Sequence, residues 1–134
     1  PLAVLADRHH PLLKRKRISL ADTMDQAWTL SPPDSFLGRV VVDVFRQRKL
    51  PLPPSIVTTL SVHMRLNLLA SGRFLTMLPE RMVRQRANRA WLRALDLDLP
   101  ESRGSIASIT VKKRNVGGAS KLFQQACRDA DRDI

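Results

Sequence analysis

Apolar positions along this chain recur with two periods, and the alternation between them predicts the order of elements. Leu2 to Ala6 is an unbroken apolar run, short enough for a buried strand. His9-His10-Pro11 ends it, because proline restricts the residue before it. The basic run Lys14-Arg15-Lys16-Arg17 then reads as a loop. Ser19-Leu20-Ala21-Asp22 predicts a short helix, with Ser19 as N-cap and Asp22 in the first turn. Ala27 to Leu30 reads as a brief strand, and Ser31-Pro32-Pro33-Asp34-Ser35 as a loop that ends in a candidate cap.

Phe36, Leu37, Val40, Val41, Val44 and Phe45 fall at three- and four-residue spacing, the stripe of an amphipathic helix over Phe36 to Arg48. Leu50-Pro51-Leu52-Pro53-Pro54 forbids further helix, and the β-branched Ser55 to Thr59 segment reads as strand. Ser61 is placed to cap a second helix through Ala70, with Leu66, Leu69 and Ala70 in its stripe and Gly72 just past its end. Phe74 to Leu78 is the next strand, stopped by Pro79. Glu80 to Asn88 predicts a short helix, Leu92 to Leu99 a strand and loop, and Ser105 to Val111 another strand. A last helix runs from Ser120 to about Ala130, with Leu122, Phe123, Ala126 and Cys127 inward. Strands alternating with helices predict an α/β fold with a largely parallel sheet.

The chain has 134 residues, 43% of them hydrophobic, enough for one domain with a real core. Lys plus Arg number 23 and Asp plus Glu 12, a net charge of +11. That balance admits nucleic acid, an anionic membrane or an acidic ligand. The charge is spread evenly: +4 over residues 1–50, +4 over 51–100 and +3 over 101–134. Local clusters stand at Lys14–Arg17, Arg84–Arg89 and Lys112-Lys113-Arg114. Each reads either as a phosphate footprint or as a solvated face. Tyr is absent and aromatics make up 4%, so no stacking platform for single-stranded bases is evident. The single Cys127 excludes an internal disulfide framework and a cysteine-based zinc site. No apolar run approaches the ~20 residues of a membrane span, no secretory signal is visible, and a cytoplasmic setting is the default. The chain starts at Pro1 without an initiator Met and directly in strand-like sequence, which reads as a piece of a longer protein.

Motifs that carry chemistry are missing. Gly117-Gly118 lacks the spacing and the Lys of a phosphate loop, and Gly38 and Gly72 make no dinucleotide fingerprint. His9, His10 and His63 have no metal-ligand spacing, so no metal and no cofactor is expected. No Gly-x-Ser-x-Gly elbow exists, Cys127 reads as a core hydrophobe, and no catalytic residues are assigned. Two strand-to-helix junctions rich in hydroxyls remain, Ser31 to Ser35 and Thr58-Thr59-Leu60-Ser61. In a parallel α/β sheet such junctions lie beyond the carboxyl ends of the strands, where ligands bind. Free N–H groups at a helix start suit an anionic or carbonyl oxygen. Simple N-capping explains Ser35 and Ser61 equally well.

His10-Pro11-Leu12, Ile18-Ser19-Leu20-Ala21-Asp22 and Trp28-Thr29-Leu30-Ser31-Pro32-Pro33 follow one another, and Val57 to Pro79 continues as strand, hydroxyl-rich cap, helix, Ala-Ser-Gly, apolar strand and Pro. In this order and spacing nearly the whole chain resembles the C-terminal effector-binding domain of LysR-type transcriptional regulators. The resemblance implies a type-2 periplasmic-binding-protein-like fold: two α/β subdomains joined by crossover segments, with the effector in the cleft between them. One subdomain would be complete here, with crossover strands and part of the other. Residues 1–8 would be the first crossover, 9–104 effector-binding subdomain II, and 105–134 the return crossover and a C-terminal helix of subdomain I. The implied function is ligand sensing without chemistry. The implied partners are a small-molecule effector, DNA through an N-terminal winged helix-turn-helix absent from this chain, and further copies in a homodimer or homotetramer, with no membrane.

Carried over residue by residue, Ser31 and Ser35 match the loop facing the cleft. Thr59, Leu60 and Ser61 match the turn that contacts effector, with Val62 and His63 just beyond, and Thr76 matches the adjacent strand end. Many members have a second glycine two residues after the position of Gly72. Here it is Phe74, which either packs in the core or narrows the pocket, and a large aromatic favours the core. His63 and Arg65 flank the helix start and, with its dipole, favour an anionic effector such as a carboxylate; an exposed basic helix face is the plainer reading. Two other functions compete: a stand-alone basic nucleic-acid-binding domain, and a periplasmic solute-binding protein.

Overall fold

The computed structural model describes residues 1–103 and 117–132. The strand expected at Ser105 to Val111 and the basic cluster Lys112–Arg114 lie outside the described residues. The chain divides into two compact units, Pro1–Gly104 and Ser105–Ile134.

The first unit is built on a five-stranded sheet: β1 (Leu2–Asp7), β2 (Ala27–Leu30), β3 (Ser55–Thr58), β4 (Phe74–Pro79) and β5 (Leu92–Ala94), in the spatial order β3-β2-β4-β1-β5. β2 runs parallel to both β3 and β4. β1 is antiparallel to β4, with Leu2 opposite Pro79 and Leu5 opposite Thr76, and antiparallel to β5, with Leu5 opposite Ala94. Four strands therefore share one direction, and β1 alone is reversed in their midst. Two of the four strand pairings are parallel and two antiparallel, so the sheet is mixed where a largely parallel one was expected. The reversal was not legible, because an apolar run carries no strand direction.

Helices α1 (Phe36–Gln47) and α2 (Val62–Ala70) make the crossovers β2-α1-β3 and β3-α2-β4. They pack on opposite faces. Val41, Val44 and Phe45 of α1 join Val4, Ala6, Trp28, Leu30, Leu75 and Met77 in one core. Leu69 of α2 joins Ala3, Leu5, Leu78 and Leu92 in the other. The two sets alternate along β1 and β4, as side chains on a pleated strand must. Trp28 is fully buried and meets Phe45 edge-on, with ring centroids 5.7 Å apart. Its indole N–H donates to the Thr23 carbonyl at 2.8 Å, so the one polar atom of the ring is satisfied. Phe74 is half-buried against the α2-side core, in accord with the core reading of that position.

Local chemistry explains most boundaries. Ser19 donates through both its amide and its hydroxyl to the Asp22 carboxylate, at 2.8 and 2.6 Å, and opens a 3-10 turn over Leu20–Thr23. These bonds hold the Asp22 carboxyl below its ordinary range. Gly72 follows α2 with φ +77°, the left-handed position that glycine adopts without strain. Two expectations need correction. The helix expected over Glu80–Asn88 contracts to α3 (Arg81–Arg84), because the buried Asn88 turns its Nδ2 back to the Met82 carbonyl at 2.9 Å and closes a loop instead. Phe36, counted in the buried stripe, is 79% exposed at the first position of α1.

The described part of the second unit is α4 (Gly118–Arg132), which starts two residues before the expected Ser120. Leu122, Phe123 and Cys127, expected inward, are exposed. Among the described residues, no helix is long and apolar enough to cross a membrane.

Candidate functional site

The two crossovers begin at the same edge of the sheet, where the parallel strands end, and each begins with a serine cap. At the first, Ser35 Oγ accepts the Gly38 N–H at 3.0 Å and donates to the Pro32 carbonyl at 2.7 Å. The Ser35 N–H reaches the same carbonyl at 3.0 Å. A Cβ on Gly38 would lie 1.8 Å from that oxygen, so glycine is what lets the Ser31–Ser35 loop fold onto the helix start. Ser31 is buried beneath the loop.

At the second, the Thr59 N–H donates to the Leu30 carbonyl at 3.0 Å, which ties the turn before α2 to the end of β2. Thr59 Oγ1 accepts the Ser61 N–H at 3.1 Å, and Ser61 Oγ accepts the Met64 N–H at 3.2 Å. The N–H groups of Val62 and His63, in the first turn, have no acceptor within the helix. The result is a pair of helix N-termini, one leading to each face, at the ends of the neighbouring strands β2 and β3. Each carries a partial positive charge.

Six of the seven expected site residues gather at this edge: Ser31 and Ser35 on one turn, Thr59, Leu60, Ser61 and His63 on the other. Thr76 does not join them with a free group. It is fully buried within β4, and its hydroxyl donates to the Thr29 carbonyl at 2.6 Å, a link between strands. The edge also carries exposed apolar side chains, Phe36, Leu60 and Val62, the first two more than two-thirds exposed. Further along, an open depression of about 340 Å³ is lined by Leu2, Glu80, Asp96, Asp98 and Arg103.

Two further residues stand out: Arg65, read from the sequence beside His63 as favouring an anion or as part of an exposed basic helix face, and Thr29; the exposed-face reading fails for Arg65, which is buried. Arg65 on α2 is 1% exposed, and its Nε and Nη1 have no hydrogen-bond partner. Burial pulls its proton affinity below the ordinary arginine value; an arginine nonetheless keeps its charge. Thr29 Oγ1 is likewise buried and unpartnered. Helical phase was the signal for Arg65: it precedes Leu69 by four residues and so shares its inward face. Alternation was the signal for Thr29, which lies between Trp28 and Leu30 and faces the α2 side.

Chemically, the edge offers hydrogen-bond donors, positive potential and apolar surface. The Ser35 and Ser61 hydroxyls are engaged in capping. Among the described residues, no three of His, Cys, Asp and Glu converge to hold a metal ion. The arrangement suits binding.

Comparison with known proteins bears on the family and the fold. The family model described as the LysR substrate binding domain matches residues 1–132. No curated protein matches the chain. Among solved structures, the effector binding domain of QuiR in complex with shikimate superposes with a TM-score of 0.67 at 18% identity, over 92% of this chain and 57% of that one. The regulatory domain of Synechocystis PCC6803 CcmR in complex with 2-PG gives 0.68 at 20% identity, over 94% and 60%. HinK, a LysR family transcriptional regulator from Pseudomonas aeruginosa, gives 0.69 at 17% identity, over 96% and 44%. At these identities the likeness is one of fold, and this chain spans less than two-thirds of each of these proteins.

Proposed function

The chain belongs to the LysR substrate binding domain family, and we propose that it is the ligand-sensing part of a LysR-type transcriptional regulator. In this reading residues 9–104 are the effector-binding subdomain. Residues 1–8 and the start of 105–134 are crossovers to a second subdomain, to which the C-terminal helix belongs. A small molecule occupies the cleft whose wall on this side is the carboxyl edge of the sheet. Its occupancy favours one arrangement of the subdomains over another and so controls transcription through a winged helix-turn-helix in the same polypeptide. The regulator works in the cytoplasm as a homodimer or homotetramer and performs no chemical step.

The observation that carries this reading is the paired start of α1 and α2 at the ends of the neighbouring strands β2 and β3, held by the Thr59–Leu30 bond. It places two helix N-termini and the exposed Phe36, Leu60 and Val62 on one surface, at the point where the crossovers diverge to opposite faces. Structures of this fold that hold shikimate and 2-PG support it.

The test is an NMR titration of the chain with a panel of small organic acids and their neutral amides. Shifts should concentrate at the backbone amides of residues 31–35 and 59–63. Ser61→Ala should weaken that response, since it removes the cap that orients the turn, at a cost of about 1 kcal/mol of helix stability. Shifts confined to the depression around Glu80 and Arg103 would place the site elsewhere.

A further inference from the structure

We propose that Arg65 is the counter-charge for the carboxylate of a small organic acid bound at the carboxyl edge, an assignment that rests on the sensing reading above. A buried guanidinium is normally matched by a carboxylate or by several carbonyl oxygens. Arg65 has neither at Nε or Nη1, though it is 1% exposed. The elements packed most closely against α2 are β1, β2 and β4, and among the described residues no charged group contributes to the lowered proton affinity of Arg65. Together with α2 itself they contain one acidic residue, Asp7, and its Oδ1 already accepts the His9 N–H at 2.8 Å. The fold thus buries a cation and supplies no anion for it.

Position and direction place this cation at the site. Arg65 is the fourth residue of α2, on its buried face, and helical side chains lean toward the N-terminus, which directs a long side chain here toward the turn that presents the Val62 and His63 N–H groups. Thr29 Oγ1, the other buried side-chain atom without a partner among the described residues, is on the same face of the sheet. A rotation of the long arginine side chain toward the first turn brings its planar fork to the edge. There it can hold both oxygens of a carboxylate, with the helix N–H groups alongside. The exposed Phe36, Leu60 and Val62 give the carbon skeleton apolar surface.

Benzoate and benzamide, which differ by the charge, are the probes. On the full chain, benzoate should shift the Val62 and His63 amide resonances and benzamide should not. In Arg65→Met the benzoate affinity should fall about ten- to a hundredfold, while the variant without probe melts no lower than the parent, because an unpaired buried charge has been removed. Arg65→Lys should recover part of the response. Equal benzoate affinity in Arg65→Met overturns the assignment. So does a melting temperature several degrees lower in that variant without probe, which would make Arg65 a structural residue. Equal shifts from benzamide and benzoate at these amides would also overturn it, while leaving the edge as a ligand site. Shifts from both probes only on another surface would remove the edge reading with it.

Discussion

His10 is 2% exposed at the start of a 3-10 turn, and its Nδ1 accepts the Leu12 N–H at 3.3 Å. Burial lowers its affinity for a proton, and the nearby Asp7 charge offsets only part of that. The folded state therefore holds a neutral imidazole, while the unfolded chain takes up a proton near the ordinary value of 6.5. His10 thus contributes full stability above about pH 6.5 and loses it as pH falls from there toward its lowered folded value. Urea unfolding at stepped pH should show a steeper acid loss in the parent than in His10→Asn, which retains an acceptor for the turn; parallel curves would refute the linkage. Gly38 offers a second residue-level test. Gly38→Ala forces a methyl into the Pro32 carbonyl, so it should cost about 1–3 kcal/mol, read by urea or thermal unfolding, and loosen the Ser31–Ser35 loop. At this scale the sequence was only partly informative. The caps Ser35 and Ser61 were legible because capping is local. Arg65 and Thr29 were not singled out as buried orphans, because a lack of partners depends on what the sheet brings beneath them.

The end of α1 shows how an element can carry local strain. Arg48 caps it, Lys49 stands at φ +56°, and the Leu50 N–H returns to the Phe45 carbonyl at 2.9 Å. This is a left-handed helix stop made with a side chain where glycine is usual. Lys49→Gly should stabilise the protein by about 0.5–1 kcal/mol, seen as a higher urea midpoint with an unchanged slope. The same corner is held by Arg48, whose Nε donates to Glu101 at 2.6 Å and whose Nη2 donates to the Asp98 carbonyl at 2.6 Å. That partnership keeps the Glu101 carboxyl below its ordinary range. Elements with a strong period or a terminal signal were readable: β2, α1 and α2 fall within a residue or so of their expected bounds. Glu80–Asn88 has no apolar stripe, and Asn88 competed successfully for a backbone carbonyl there. The exposure of Leu122 and Phe123 could not be read from spacing, since period shows which residues share a face and not whether that face is covered.

For the whole molecule, the net charge of +11 gives the competing nucleic-acid reading its only footing. Among the described residues, Lys14–Arg17 and Arg84, Arg86 and Arg89 are exposed, but they sit on separate segments and form no single stripe along one element. Duplex DNA should therefore meet few of these cations at once. The logarithm of affinity should fall with the logarithm of salt at a slope on the order of −1 to −2, as for one or two phosphates. A slope several times steeper would bring stand-alone DNA binding to the front. The reversed strand has a consequence in time. Of the five strands β1 is translated earliest, yet its neighbour β4 begins at Phe74, 72 residues after Leu2. At ribosomal speeds of about 5–20 residues per second that is a wait of roughly 4–14 s, and longer for β5. Throughout it, the apolar run Leu2–Ala6 has no seat in the sheet, and the α1-side core lacks Leu75 and Met77. Of the five strands, the one translated earliest is thus among the last to be housed.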